Sequence, residues 1–413
     1  MTFTVTNNFT NGTSADADEV NQNFTDVENL ANEVEVDNAL WDTIYYNVQE
    51  NLEQAIDIIQ LQVEATIDPS THSASVADIF SDSTGYNDTI ASDTNCTYSA
   101  DLDVYSADAS EFVAGDNLDS DSFTGSDNDA WDTAVWDTAK LGTDTGTAKI
   151  QGNQGRLNCQ ATTNTVGVYA VTDTTWDLDA IDEEMIRMRI TWDDLVYGGN
   201  TSGNLTIVFG LRNTVAVPTT EASALDLAIY MGRSGAPFNS VKVFGNSNVD
   251  TATATGSVID FYVKKKTATS VYYRVDDDGV MIASGVADVT NLLFKGTCRA
   301  YLSSGTAEVS SIDFDNMSID EYSPSTTSFL QTASLVSSNT TDVTDTWTTL
   351  KDDNGDIITG TYSASSDGGS NYTDDLALNE KANITSTQGD ELKLKLNITN
   401  INGITAFSTA WWD

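Results

Sequence analysis

The sequence predicts a mostly β protein with an N-terminal α-helical coiled-coil stem and two antiparallel β-sandwich domains. Three observations lead there. Residues 14–66 contain no Gly or Pro and carry apolar side chains at heptad spacing. After Pro69 the chain turns to short runs of Val, Ile, Thr, Tyr and Phe broken by Gly, Asn and Asp, which is the pattern of strands and turns. Hydrophobic residues make up 39% of the 413, enough to fill cores despite 63 Asp plus Glu against 18 Lys plus Arg, a net charge of −45.

Taken in order, residues 1–13 form a short tip. In the stem, 14–67, the seam reads Val20, Phe24, Val27, Ala31, Val34, Asn38, Trp41, Tyr45, Val48, Leu52, Ala55, Ile59 and Gln62, an unbroken four-three alternation. Such a seam predicts an interface between identical chains, with Asn38 as the polar position that fixes register. Ser14 or Thr13 can cap the helix, and Asp16, Asp18 and Glu19 oppose its dipole. Residues 68–117, rich in Ser, Asp and Thr, read as a connector with short strands such as 96–105.

The largest domain is expected over 118–322. Its clearest strands are 205–211, 225–231, 240–244, 258–263, 271–275, 280–283, 298–302 and 311–319, with a hairpin turning at Asp276, Asp277, Asp278 and Gly279. About 200 residues of strand signal without helical period imply two packed sheets. Ser323-Pro324 and a linker at 325–327 lead to a smaller sandwich, 326–413, with strands at 359–363, 391–398 and 404–411.

The charge bears on function. A surface this acidic repels itself in dilute salt, whereas in molar salt the Debye length falls to about 3 Å, so the composition suits a halophilic setting. Nucleic-acid binding is not expected, because the only basic run is Lys264, Lys265 and Lys266, which suits a strand edge. No stretch approaches a membrane span, and the start lacks the blocks of a secretory signal. Three cysteines without CxxC offer neither a zinc site nor a disulfide framework.

Residues 9–24, Phe9-Thr10-Asn11-Gly12-Thr13-Ser14-Ala15-Asp16-Ala17-Asp18-Glu19-Val20-Asn21-Gln22-Asn23-Phe24, resemble a short opening found in tail-fibre and tail-associated proteins of tailed viruses. That resemblance implies attachment to a virion tail or baseplate ahead of a stem of identical chains. The 118–322 region is similar to concanavalin-like and laminin-G-like jelly rolls, on Phe123-Thr124-Gly125, Trp131-Asp132, 187–190, 209–212, the turn of 275–280 and the closing 309–319. The resemblance implies glycan or calcium binding. The last domain resembles a viral fibre module on 362–372 and 389–395.

Together these imply a homo-oligomeric, trimeric, receptor-binding tail fibre of a virus of a halophilic archaeon, located on the virion and adhering to a host cell-surface glycan or glycoprotein. The alternatives are a structural baseplate or capsid-decoration protein and a polysaccharide-degrading tailspike. Hydrolysis is not expected: jelly-roll glycosidases similar to laminarinases carry three acids on one strand, and Asp313 and Asp315 are the nearest imitation. The single histidine, His72, lies in a polar linker and offers no triad.

Calcium is the candidate ligand of Asp116, Asp119, Asp121, Asp127 and Asp129, which crowd a Gly- and Ser-containing loop. Asp352, Asp353, Asn354, Gly355 and Asp356 imitate the start of an EF-hand but lack its distal Glu, and a hairpin turn is expected instead. Trp411 and Trp412 must point to opposite faces of a strand, which leaves one of them outside the core as a ligand or subunit contact.

Overall fold

The computed structural model describes residues 74–412 apart from 86, 142–145, 160–165, 183, 197–204, 214–225, 235, 245–254, 303–309, 324–327, 337–341 and 400. All of these belong to one compact unit, Gln60–Asp413.

The chain begins with β1 (Ala74–Ile79), β2 (Ile90–Thr94), β3 (Cys96–Ser99) and β4 (Val104–Ala107). There follow β5 (Val113–Asp121), β6 (Trp136–Leu141), β7 (Thr147–Gln151), β8 (Gln154–Cys159), β9 (Val166–Thr172), β10 (Trp176–Asp177), β11 (Met185–Val196) and β12 (Leu205–Arg212). Next come β13 (Asp226–Ser234), β14 (Ala236–Lys242), β15 (Val258–Thr267), β16 (Ser270–Asp277), β17 (Val280–Asp288), β18 (Leu293–Leu302) and β19 (Ser310–Ser323). The last group is β20 (Phe329–Thr332), β21 (Asp345–Asp352), β22 (Thr361–Ser365), β23 (Thr373–Ala377), β24 (Lys381–Asn383), β25 (Lys393–Asn397) and β26 (Ile404–Trp412).

The expected fold class, mostly β with an α-helical coiled-coil stem, is corrected: the described residues are all-β, and no coiled-coil helix is found among them. Among the described residues the only helical turns are two 3-10 segments, Ala109–Glu111 and Leu178–Ala180. The physical reason is the period-two alternation of β-branched and aromatic side chains, which suits a pleated, half-buried surface and not a helix face. Residues 1–73, with the tip, His72 and every seam position from Val20 to Ile59 and Gln62, lie outside the described residues. Among those described, no helix is long and apolar enough to cross a membrane.

Two antiparallel sandwiches result. The larger packs an eight-stranded sheet, β17-β16-β15-β11-β19-β8-β7 with β5 also on β19, against a seven-stranded one, β14-β13-β12-β18-β9-β6 with β10 on β18. Alternate residues point inward. Ile186, Met188 and Ile190 of β11, Ile259, Phe261 and Val263 of β15, and Ile207, Phe209 and Leu211 of β12 are all buried. Each such side chain contributes about 1.5–3 kcal/mol.

The smaller sandwich has sheets β24-β21-β26-β4-β3, with β1 on β26, and β2-β20-β25-β22-β23. Residues 68–117, read from sequence as a connector, supply four of these strands: Ala74 pairs with Trp411, Tyr105 with Ile404, and Ser92 with Gln331. The large sandwich is thus inserted between β4 and β20 of the small one.

Part of the outer face of the eight-stranded sheet meets the small sandwich. Arg187, Tyr262, Arg274, Asp276 and Tyr322 are buried there, and Tyr262 and Tyr322 join the small core. Arg274 donates from Nε to Asp276 Oδ1 at 2.6 Å and from Nη1 to the Ala107 carbonyl at 2.8 Å. The Phe112 ring lies 5.3 Å from that of Tyr262. A second contact is the 352–356 turn: Asn354 Oδ1 accepts from the Val286 amide at 3.1 Å, Ser284 donates to Asp353, and Lys266 pairs with Asp356. Part of one face of the large sandwich is therefore committed to the junction, while Arg156 and Arg189 on that face stay partly exposed.

Candidate functional site: a polar cleft between β5 and β19

A cleft of about 650 Å³ opens where β5 runs beside β19. Its walls are Ser120, Asp121, Ser122, Thr124, Asp129, Ala130, Asp132, Ile150, Asn316 and Ser318. The register brings the walls together across nearly 200 residues: Met317 pairs with Asp121 and Ser318 with Ser120. Register shifts between Ile319 and Asp320, and between Asp320 and Tyr322, absorb extra residues in that ladder. The polar end of β5 is held by β19 although it has no apolar alternation of its own.

An aromatic cluster supports the cleft. Phe123 and Trp131 stack obliquely at 4.8 Å between centroids, Trp131 meets Trp136 edge-on at 5.3 Å, and Phe314 closes the group at 6.0 Å from Trp131. All four are buried. Phe123 has a left-handed backbone, φ 49°, and its amide donates to Asp121 Oδ1 at 2.7 Å. The indole Nε1 of Trp136 donates to Asp121 Oδ2 at 3.0 Å. Asp121 is thereby fixed in place. Burial pushes its carboxyl above the usual range, opposed by these two hydrogen bonds.

The five aspartates expected to hold calcium do not converge. Asp121 and Asp129 line the cleft, and Asp116, Asp119 and Asp127 are not among its walls. Asp129 Oδ2 accepts from the Ser126 amide at 2.9 Å, while Asp127 accepts from the Gly152 amide and from Gln151 Nε2, both at 2.8 Å. Asp119 Oδ1 accepts from the Ser120 amide at 3.0 Å. Burial raises the Asp119 carboxyl, and the charges of Asp132 and Asp121 add to the effect. These carboxylates serve local loop and turn hydrogen bonds. Among the described residues no three His, Cys, Asp or Glu side chains form a group that could hold a metal ion.

The other candidates are dispersed. Trp411 is buried in the small core, whereas Trp412 turns to the other face, half-buried, with Lys381 Nζ 4.2 Å from its ring centroid. Asp313 is buried and clamped by Arg156 through Nε at 2.7 Å and Nη2 at 2.6 Å. Asp315 is exposed and accepts from Gln154 at 2.6 Å. A carboxylate neutralised by a guanidinium fork is poorly suited to donate a proton to a leaving group. The thiols Cys96, Cys159 and Cys298 are buried, and burial pushes Cys96 up to about 12.

Sequence reasoning missed Ser120, Ser122, Thr124, Asp132, Asn316 and Ser318 as cleft residues. The one local signal was the pair of words Phe123-Thr124-Gly125 and Trp131-Asp132, whose aromatic members anchor the loop.

Chemically the described residues of the cleft offer four hydroxyls, three carboxylates and one amide over a small apolar patch of Ala130 and Ile150, with no basic side chain among them. Such a surface can exchange many hydrogen bonds with a polyhydroxylated ligand.

The solved structures to which the chain is similar include carbohydrate-recognition domains and lectins. The Emp46p carbohydrate recognition domain in its potassium-bound form shares 10% identity over 45% of this chain and 87% of its own, with a TM-score of 0.29. A Lotus tetragonolobus seed lectin shares 12% over 51% of this chain and 98% of its own, at 0.29. An endo-1,3-beta-glucanase from Streptomyces sioyaensis shares 11% over 52% and 98%, at 0.33. Likeness at this level bears on neither function nor site residues. No family model matches the chain, and no curated protein matches it by sequence.

Proposed function

We propose that this protein is a non-enzymatic adhesion protein that binds glycans in the cleft between β5 and β19. The observation that carries the reading is the cleft itself: about 650 Å³ walled by hydroxyl, carboxylate and amide groups. It is braced by a buried aromatic cluster, so the hydrogen-bonding groups are held in position before a ligand arrives. The Arg156 clamp on Asp313 supports a binding role over hydrolysis.

The finer reading is a receptor-binding tail fibre on the virion of a tailed virus of a halophilic archaeon, acting as a homo-oligomer. Its support is the tail-fibre-like opening of residues 9–24 and the net charge of −45. Repetition of one weak glycan site over identical subunits raises avidity without new contacts.

The test of binding is titration of the full chain in molar salt with oligosaccharides released from host envelopes, followed by tryptophan fluorescence. Saturable binding that weakens when Asp121 or Asn316 is replaced by Ala supports the reading; no response to any fraction ends it. Immunogold labelling of purified particles tests the tail location. Mass measurement in molar salt tests the homo-oligomer, and a monomer refutes it.

A further inference from the structure

We infer that the cleft sorts glycans by charge: it accepts neutral saccharides and excludes acidic ones, the uronic-acid, sulfated and phosphorylated classes. This rests on the reading of the cleft as a glycan site and names its ligand class.

Two features argue for it. First, the polar walls are built almost wholly from groups that suit neutral hydroxyls. Ser120, Ser122 and Thr124 can each donate or accept, Ser318 accepts while its hydroxyl donates to Asp320 Oδ2 at 2.9 Å, Asn316 can do both, and Asp121, Asp129 and Asp132 only accept while ionised. A sugar hydroxyl has a proton to give to each carboxylate. A carboxylate, sulfate or phosphate on the ligand has none, and among the described residues it finds no Lys, Arg or His in the walls to neutralise it.

Second, the three wall carboxylates are tied down. Asp121 is held by the Phe123 amide and the Trp136 indole, Asp129 by the Ser126 amide at 2.9 Å, and Asp132 by the Ala134 amide at 2.9 Å. Each backbone or indole donor points its carboxylate in one direction, so rotating it away from an approaching anion means giving up that hydrogen bond. Burial is the main cause that raises the Asp119 carboxyl beside the cleft, and the charges of Asp132 and Asp121 add to it in the same direction.

Salt separates the parts of this discrimination. Coulomb repulsion between charges a Debye length apart is largely screened in molar salt, whereas the cost of seating an anion directly against the fixed carboxylates, with no cation beside it, is local and persists. Discrimination should therefore narrow in concentrated salt and remain.

The experiment uses the full chain and matched ligand pairs of the same linkage: an oligogalactoside with the corresponding oligogalacturonide, and an oligoglucoside with the oligoglucuronide. Affinities are measured by calorimetry in molar salt and at the lowest salt that preserves the folded circular-dichroism spectrum. The expected result is a neutral member that binds at least about tenfold more tightly than its acidic partner, with a wider ratio at the lower salt. The double variant Asp129→Asn, Asp132→Asn, both exposed positions, should shrink that ratio several-fold by admitting the acidic member. If the double variant loses its folded spectrum, Asp132→Asn alone provides the same comparison.

An acidic member that binds as tightly as its neutral partner, or a ratio indifferent to the variants, overturns the inference while leaving glycan binding in place. Failure of both members of every pair to bind overturns the glycan reading and the inference with it.

Discussion

Replacing Asp353 by Asn should remove a specific pH dependence of stability. Asp353 sits in the turn that docks the small sandwich on the large one, where it accepts from Ser284 and from Asn402 Nδ2, the latter at 2.5 Å. Burial is the largest cause that pushes its carboxyl from 3.8 up to about 7; the hydrogen bond from Ser284 opposes the shift, and the neighbouring charge of Asp352 adds to it. Asp356 and Lys266 complete the charged surroundings, with Tyr272 of β16 on the side of the small sandwich and Tyr273 turned into the core of the large one.

Because the folded carboxyl holds its proton more tightly than the unfolded one, its contribution is fully present below about pH 4 and is lost as pH rises through about 7. A displacement of that size corresponds to about 4 kcal/mol in all, as an upper figure. An Asn at 353 keeps an acceptor for Ser284, never ionises, and offers an N–H to Asn402 Oδ1, a buried atom without a hydrogen-bond partner.

The assay is urea unfolding of both proteins in molar salt, followed by tryptophan fluorescence at intervals between pH 4.5 and 8.5. The other carboxylates titrate in both proteins and cancel in the difference. The expected difference is small at the acid end and grows to about 2–4 kcal/mol in favour of the variant at the alkaline end. Parallel stability curves across that range would refute the argument that burial raises the Asp353 carboxyl in the folded protein.

Arg156→Ala should cost about 2 kcal/mol, because it strands the buried Asp313 carboxylate while water reaches in where the partly exposed guanidinium lay; a change below about 0.5 kcal/mol on urea unfolding would contradict this. In Gly155→Ala the new methyl would meet the buried Phe123 ring, with an expected loss of about 1–3 kcal/mol and weaker binding in the cleft, since Phe123 also orients Asp121. A chain shortened to begin at residue 108 lacks β1 to β4, so β26 and β20 lose ladder partners and residues 329–412 should become protease-sensitive; unchanged resistance there would show that the C-terminal strands form a domain alone.

Local patterns in the chain reported local structure well. The expected turn at Asp276 to Gly279 joins β16 to β17, with Asp277 opposite Val280 and both turn residues left-handed, Asp278 at φ 48° and Gly279 at φ 85°. That is the geometry an Asp-Gly pair favours between twisted strands. Runs such as 280–288 alternate because one face meets the core, with Met281, Ala283 and Ala287 buried and Ile282, Ser284 and Val286 only partly so.

Where alternation fails, the reading fails with it. β5 is polar along most of its length, so its place beside β19 was invisible, and with it the cleft. β1 to β4 read as a connector because each is short and the distant partners of β1, β2 and β4 come some 230 to 340 residues later, β3 pairing only with its neighbour β4. The five aspartates looked like a ligand cage because density of carboxylates was all that could be counted; direction was not.

From its own composition and order, the chain determines that it makes strands, where many of them turn, and that its surface is overwhelmingly negative. These follow from side-chain shape, backbone freedom at Gly and Asp, and charge, all of which act over a few residues. Only the tertiary structure decided that one sandwich is inserted in another, that Arg274 and Tyr262 lie beneath the junction, and that Asp121 and Asp132 share a wall with Asn316. The cause is physical: the hydrogen bonds of a β ladder join backbone groups common to every residue, so partner choice is settled by burial over the whole assembly and leaves little mark on either strand alone.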